Sequence, residues 1–405
     1  MAEETRKALP PPQDPPRRKA WIFGYIFIAL LIAVAIFIYW WGWLRFEEYT
    51  DDAYVAGNMV ALTPQIPGIV VSINADETDI VEKGQLVIEL DPTDFAVAYE
   101  GKKAELADAL RKSVSLFERV GELGAEIEQR KALLWKSALD YEHRKNLVEI
   151  GGVSIEDFEH SEADLRAAYA ALIDVEHALT GALAQVDRTT VVTHPSVEKV
   201  QEELKEAYIQ LNRCKIYAPV RGMIAQRRAQ VGERVLPAEK MLAIVPLDEM
   251  WVYANFKEVQ LKKVKIGQPV KMTADIYGSS VEYHGRVIGL SAGTGSVFSI
   301  IPPQNATGNW IKIVQRLPVR ITLDAQQLCD YPLRLGLSME VTVDIHDTQG
   351  SSTPPTKSPQ PVYETDIFEE QLVGIDEVID EIIHENVSPV FLNAAYYENF
   401  SGIDE

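Results

Sequence analysis

Phe158-Glu-His-Ser-Glu-Ala-Asp-Leu-Arg-Ala-Ala-Tyr-Ala-Ala-Leu-Ile-Asp-Val-Glu-His-Ala-Leu-Thr-Gly-Ala-Leu-Ala-Gln-Val186 is the stretch that decides the architecture. Phe158, Leu165, Leu172, Leu179 and Val186 recur at every seventh residue, and Ala168, Val175 and Ala182 hold a second position of the same heptad. That pattern is the seam of a coiled coil. A looser seam lies upstream, through Leu106, Leu110, Phe117, Val120, Ile127, Leu134 and Tyr141. Gly151-Gly152 separates the two runs, leaving arms of roughly 55 and 60 residues, so the segment predicts an antiparallel hairpin on the order of 80 Å long at 1.5 Å per residue. In the returning arm, β-branched Thr189-Thr-Val-Val-Thr193 ahead of His194-Pro195 predicts a break, with Pro195 opening a last helix. A compact helical bundle is the competing architecture. It is disfavoured because the one strong turn lies near the centre and both ends must return to one place.

What flanks the hairpin is β-structure on both sides. Pro64-Gln-Ile-Pro-Gly-Ile-Val-Val71 and Pro219-Val-Arg-Gly-Met-Ile-Ala225 share a proline, a following glycine and an apolar strand. Each leads through a charged turn to a second apolar run, Leu86 to Leu90 and Met241 to Val245. The two segments therefore read as halves of one β-sandwich split by the hairpin. Further on, Trp251-Val-Tyr-Ala-Asn-Phe256, Val270 to Ala274, Val319 to Leu323 and Met339 to Ile345 alternate apolar and polar residues between Gly and Pro turns, which suits a small antiparallel β-barrel.

Trp21 to Leu44 contains no charged side chain. At 1.5 Å per residue this run is roughly 36 Å long, enough to cross a hydrocarbon core of about 30 Å. It exceeds the 7 to 15 apolar residues usual in a cleaved signal peptide and lacks a small-residue cleavage site after it. Trp21 at one end and Trp40, Trp41 and Trp43 at the other are placed as membrane-interface anchors. Arg6, Lys7, Arg17, Arg18 and Lys19 precede the run and Glu47, Glu48, Asp51 and Asp52 follow it, so the N-terminus is expected in the cytoplasm and the bulk outside. The fold class is thus α+β multidomain. The expected division is 1–20 cytoplasmic tail; 21–44 transmembrane helix; 45–92 membrane-proximal linker and first lipoyl-like half; 93–213 hairpin; 214–247 second lipoyl-like half; 248–346 barrel; and 347–405 an acidic C-terminal tail, largely disordered.

A net charge of −21 argues against nucleic acid as a partner, because a phosphate-binding surface needs clustered Lys and Arg. The tail alone holds thirteen acidic residues against one basic, Lys357. Within it, Ile375, Val378, Ile379, Ile382 and Ile383 form an apolar stripe at helical spacing, either a partner-binding helix or a solvated tail. Cys214 and Cys329 provide no disulfide framework and are expected to be unpaired. The seven histidines show no His-Glu-x-x-His or Cys-x-x-Cys spacing, so no metal, cofactor or catalytic residue is assigned. Gly289-Leu-Ser-Ala-Gly293 matches a nucleophile elbow by pattern, but Thr294-Gly-Ser-Val-Phe298 does not open the helix that motif needs.

A lipoyl-like domain split by a helical hairpin and followed by a barrel, behind one anchor, resembles the HlyD-type membrane fusion, or periplasmic adaptor, family. Trp251-Val-Tyr-Ala-Asn-Phe-Lys-Glu-Val-Gln-Leu261, Gly267-Gln-Pro-Val270 and the block Gly293 to Leu323 look like its EmrA branch. The resemblance covers about residues 51–344. It implies a non-enzymatic subunit of a tripartite multidrug efflux pump in the bacterial inner membrane, a homo-oligomer (trimer or hexamer), with an inner-membrane major-facilitator transporter and a TolC-like outer-membrane channel as partners. An adaptor for ATP-driven type I protein export and an anchored structural coiled-coil protein are the alternatives. The block Gly293 to Leu323 weighs against the first, and the split β-domain against the second. A carrier lysine, which true lipoyl domains present between their halves, is displaced here by the hairpin. The family contacts its outer channel at the hairpin tip through Arg, three residues, Leu, six residues and Ser. Leu147 and Ser154 match, whereas His143 holds the Arg position with Arg144 beside it. A second departure from the family is Ala238, which stands where the second lipoyl half has a glycine, a change expected to alter only a turn.

Overall fold

The structure, a computed structural model, describes residues 18–42, 46–295, 297–298, 314–354 and 361–393. The described residues include seven α-helices: α1 (Arg18–Gly42), α2 (Thr93–Val148), α3 (Ile155–Val186), α4 (Pro195–Asn212), α5 (Ala325–Asp330), α6 (Ile375–Asn386) and α7 (Pro389–Leu392). Two compact units divide the chain, residues 1–59 with 245–362 and residues 60–244 with 363–405.

In the first unit, Trp21–Tyr39 of α1 has a mean hydropathy of 2.8 and none of it is buried against the rest of the chain. An apolar cylinder of that length needs lipid around it. The helix ends at Gly42, so Trp43 and Leu44 of the expected span lie outside the described residues. The remainder closes into a six-stranded barrel, in the order Glu47–Gly57, Met250–Lys257, Arg316–Thr322, Glu282–Leu290, Pro269–Ala274 and Ser338–Asp344. Alternation fills its interior: Val252, Ala254 and Phe256 point inward from one strand, and Met339, Val341 and Val343 from another. Gly285 is obligatory here, because a Cβ at that position would collide with the carbonyl oxygen of Thr322.

This barrel corrects the expected boundaries. Glu47–Gly57, assigned from sequence to the linker and first lipoyl-like half, is a barrel strand, pairing Tyr54 with Tyr253 on one side and Glu48 with Val343 on the other. It alternates with the right period, but nothing local in a half-buried strand tells which sheet it joins.

The second unit begins with the sandwich. One sheet runs Val60–Leu62, Leu242–Val245, Gly222–Arg227, Ile80–Val81; the other runs Lys215–Tyr217, Leu86–Leu90, Gly68–Ile73, Arg234–Val235. Each sheet takes two strands from either side of the hairpin, so the halves interleave as the repeated motif predicted. Leu90 N–H donates to the Cys214 carbonyl at 2.8 Å, which holds the departing and returning chain side by side. Cys214 is buried and free, its thiol pushed up to about 11 chiefly by burial; Cys329 is free and exposed. Ala238 takes a left-handed φ of 68°, so the turn keeps the conformation a glycine would favour at a cost of about 1–2 kcal/mol.

Helix α2 rises for 56 residues, about 84 Å at 1.5 Å per residue. The seam is as predicted: Leu106, Leu110, Phe117, Val120 and Ile127 are buried against Leu172, Val175, Leu179 and Val186. Farther out, Leu134, Tyr141, Phe158 and Leu165 are half-buried, because two helices alone cannot enclose a seam. The predicted break falls between α3 and α4. Arg188 has a positive φ of 55°, Val191 is fully buried, and Ser113 Oγ donates to the Val191 carbonyl at 3.1 Å. His194 caps α4, its Nδ1 accepting from Ser196 N–H, with Pro195 at the first position of the helix.

The tail departs most from expectation. Residues 361–393 are ordered, and α6 packs on α2 and α4. Ile375, Ile379, Ile382 and Ile383 are buried in the hairpin core, together with Val387 and Phe391. Tyr208 OH donates to the Val373 carbonyl at 2.8 Å, Arg111 Nη2 donates to Asn386 Oδ1 at 2.8 Å, and Lys83 pairs with Asp366 at 2.8 Å. Disorder was expected from charge; the charge lies on one face and the isoleucines on the other. Because Ile379 is buried, Ile379→Ala should weaken docking of α6 by about 2–4 kcal/mol. Hydrogen exchange of the α6 amides should accelerate by roughly 30- to 1000-fold. Unchanged protection would show that the apolar stripe does not hold the tail.

Candidate functional site at the hairpin tip

The outer end of α2 is closed by main-chain hydrogen bonds. At the end of α2, the Leu147 carbonyl accepts from Gly152 N–H at 2.8 Å and from Ile150 N–H at 3.3 Å, while Val148 O accepts from Gly151 N–H at 3.1 Å. Gly151 has a φ of 73°, the left-handed geometry that lets a helix stop and reverse. The glycine pair read from sequence is thus the turn.

Ser154 then caps α3. Asp157 N–H donates to Ser154 Oγ at 3.0 Å, and Ser154 Oγ donates to Asp157 Oδ2 at 2.6 Å. This is a capping pair of the Ser-x-x-acid type. The Ser154 hydroxyl, first among its causes, holds the Asp157 carboxyl below the usual carboxylate range, with the Arg144 charge a lesser contributor. Arg144 Nη1 also donates to the Asp157 carbonyl at 3.1 Å, tying the last turns of α2 to the first turn of α3. Just below, Tyr141 and Phe158 stack with ring centroids 5.3 Å apart.

The four residues singled out from sequence therefore share one end of the hairpin but do different things. His143 is exposed, Arg144 is half-buried across the seam, and Leu147 is 41% exposed one helical turn beyond His143. Ser154 is engaged in its own cap. What the sequence reading missed is the apolar character of the apex: Ile150 is 78% and Ile155 71% exposed on either side of the glycine turn. Three large aliphatic side chains in water at one extremity form a small apolar cap of the kind that marks a contact surface. The signal was available, since both isoleucines fall outside the heptad on residues that the turn cannot bury.

In the first unit, Trp21 is exposed, and the ring of Trp41 lies 5.8 Å from that of Phe37. The side chain of Trp40 and all of Trp43 lie outside the described residues. Among the described residues no group of three or more His, Cys, Asp or Glu side chains could hold a metal ion. The strand Glu282–Leu290 precedes Ser291, and no helix is present among the described residues of 291–298.

Residues 93–214 match the family described as EMRA, alpha-helical hairpin domain. The chain is 39% identical over 383 residues to the multidrug export protein EmrA of Escherichia coli strain K12, covering 95% of this chain and 98% of that protein. It is 37% identical over 369 residues to the multidrug export protein EmrA of Haemophilus influenzae, covering 91% and 95%. It is 41% identical over 340 residues to the fatty acid resistance protein FarA of Neisseria gonorrhoeae, covering 82% and 84%.

Ser154→Ala should cost the start of α3 about 1 kcal/mol. Because the folded-state pKa of Asp157 is depressed, its stabilisation is present above the unfolded value near 3.9 and is lost as pH falls through the lower folded value. Hydrogen exchange at residues 155–158, followed from pH 6 to pH 3, should show this acid-induced loosening in the parent protein and a much flatter response in Ser154→Ala. Identical profiles would remove the cap from the account of the tip.

Proposed function

Because this chain belongs to the EmrA family of membrane fusion adaptors, we propose that it is the periplasmic adaptor of a tripartite multidrug efflux pump, linking a major-facilitator transporter in the inner membrane to a TolC-like channel in the outer membrane. The observation that carries the proposal is the hairpin: a continuous helix of 56 residues, folded back on a sandwich and ending in exposed Leu147, Ile150 and Ile155. A soluble receptor or an enzyme has no use for an arm of about 84 Å that ends in exposed aliphatic side chains. An adaptor that must cross a gap and meet a partner end to end does.

The other parts follow from this role. Helix α1 tethers the chain beside its transporter, with the basic residues Arg17, Arg18 and Lys19 retained in the cytoplasm and the barrel, sandwich and hairpin outside. Copies of the chain assemble around the path of the exported compound, each supplying one hairpin. Transport energy comes from the transporter, and the adaptor performs no chemistry of its own. At the tip, Leu147 and the two isoleucines seat against the channel, while Arg144 serves chiefly to lock α2 to α3 and leaves His143 as the outward polar group.

Three measurements bear on this. Native Cys329 is exposed, so a membrane-impermeant maleimide added to spheroplasts should label it; labelling only after lysis would reverse the orientation. In a Cys329→Ser background, Leu147→Cys, Ile150→Cys or Ile155→Cys should crosslink to an outer-membrane channel protein. Leu147→Asp with Ile150→Asp should raise cellular accumulation of exported drugs to the level of a deletion strain. Failure of all three positions to form a channel adduct, or normal export by the double variant, would overturn the tip assignment.

A further inference from the structure

A cavity of about 370 Å³ lies within the second unit, where the C-terminus of α4, the strand Lys215–Tyr217 and the tail segment Ile367–Gln371 meet. That volume falls in the range of small-molecule sites, about 300–1,000 Å³. Its chemistry is unlike that of the rest of this acidic chain. The run Arg213-Cys-Lys-Ile-Tyr217 alternates: Cys214 and Ile216 are buried in the sandwich core, and Arg213, Lys215 and Tyr217 turn the other way, into the cavity wall. Neither Arg213 nor Lys215 has an acidic partner within salt-bridge distance among the described residues, and Glu370 is the one acid in the lining. Two cations and one carboxylate therefore line the cavity, with Glu89 paired opposite Lys215 in the neighbouring strand, in a protein with a net charge of −21.

The tail supplies part of the wall. Phe368 lines the cavity together with Tyr208 and Tyr217, and Gln371 is held in place through its carbonyl, which accepts from Asn212 Nδ2 at 2.9 Å. Arg213 spends only its Nε on the Gln371 side chain, at 3.4 Å, which leaves its terminal fork of N–H groups for a planar oxyanion. Planar cation, ammonium, aromatic faces and an apolar floor together match one kind of ligand.

We propose that this cavity binds an aromatic monocarboxylate, its carboxylate on Arg213 and Lys215 and its ring between Tyr217 and Phe368. The spacer role of the chain requires no small-molecule site, so this adds a function to it. Since Phe368 and Gln371 belong to the docked tail, occupancy also favours the docked state over a released one by the ratio of affinities for the two.

The test uses the full chain in lipid nanodiscs and three probes of one shape: 2-naphthoate, neutral 2-naphthalenemethanol and cationic 2-naphthylmethylammonium. Titration calorimetry should give one site per chain for 2-naphthoate, with the neutral and cationic probes at least tenfold weaker. Arg213→Gln and Lys215→Gln should each weaken 2-naphthoate roughly 10- to 100-fold, the effect of removing a charged hydrogen bond. Arg119→Gln, far along α2, should leave it unchanged. Hydrogen exchange of α6 confirms that each variant keeps its tail docked, and saturating 2-naphthoate should further slow that exchange in the parent protein. Equal binding of the three probes, or unaltered binding of 2-naphthoate by both cavity variants with α6 still protected, would overturn the proposal.

Discussion

An amphipathic helix of 56 residues cannot leave its apolar stripe in water, and how that stripe is covered determines most of what surrounds it. Over its distal part α2 has one companion, α3, and the seam stays half open: Tyr141 stacks on Phe158, while Leu134 and Leu165 are only partly enclosed. Nearer the sandwich the same stripe is sealed. Leu106 and Leu110 are fully buried because α4 and α6 join α2 there, adding Leu204, Ile375, Ile379 and Ile382 to one cluster. Cover by several helices at the base and by one at the tip makes the arm firmest where it leaves the sandwich.

The break between α3 and α4 serves the same demand. A straight return would keep α3 on one track along α2 to the end. Instead the chain steps sideways at Arg188, buries Val191, spends a buried hydroxyl of Ser113 on its carbonyl and restarts at His194-Pro195. The new helix is bound across the base by Lys102, whose ammonium reaches Glu203 of α4 and Glu105 of its own helix, each at 2.7 Å. Both carboxylates hold the Lys102 ammonium well above its ordinary range. The pair is partly exposed, so its contribution is small beside the apolar cluster it borders.

What was legible in the sequence was whatever a local period can encode. The heptad at Leu172, Leu179 and Val186, the glycine reversal, the restart at Pro195 and the duplicated sandwich motif all express regularities within tens of residues. Glu47–Gly57 was misplaced because its identity depends on partners some 200 and 300 positions away, Tyr253 and Val343, and its own alternation fits either sheet. Glu282–Leu290 was overlooked because Gly285 and Gly289 dilute its alternation; one of those glycines is there to let the neighbouring strand pass close. The tail was half legible: its isoleucine stripe was visible, but the surface awaiting it was not, since that surface is built from α2 and α4 together. At the tip, a family pattern drew attention to Leu147 and Ser154 and away from Ile150 and Ile155, whose exposure follows from the turn and not from any motif. The cavity beside Arg213 draws on residues from Leu62 to Gln371 and has no signature in any one segment.

Where the hairpin is inserted also limits what it can do. It leaves after Leu90 and returns at Cys214, whose carbonyl accepts from Leu90 N–H just ahead of the strand Lys215–Tyr217 that pairs with Leu86–Leu90. A lever rooted in paired strands cannot swing about its base without breaking ladder hydrogen bonds or shearing the sandwich core around Ile88, Leu90 and Ile216. Bending is cheaper farther out, where only two helices pack. The tail raises this contrast, since Thr365, Asp366 and Gln371 fasten it to Pro219, Lys83 and Asn212 on the sandwich side while its isoleucines grip the hairpin side. It is a brace across the joint. The brace packs on α2 less extensively than α3 does and turns a strongly acidic face to solvent, so any change in stiffness at the root of the arm is expected to begin there and not in the coiled coil itself.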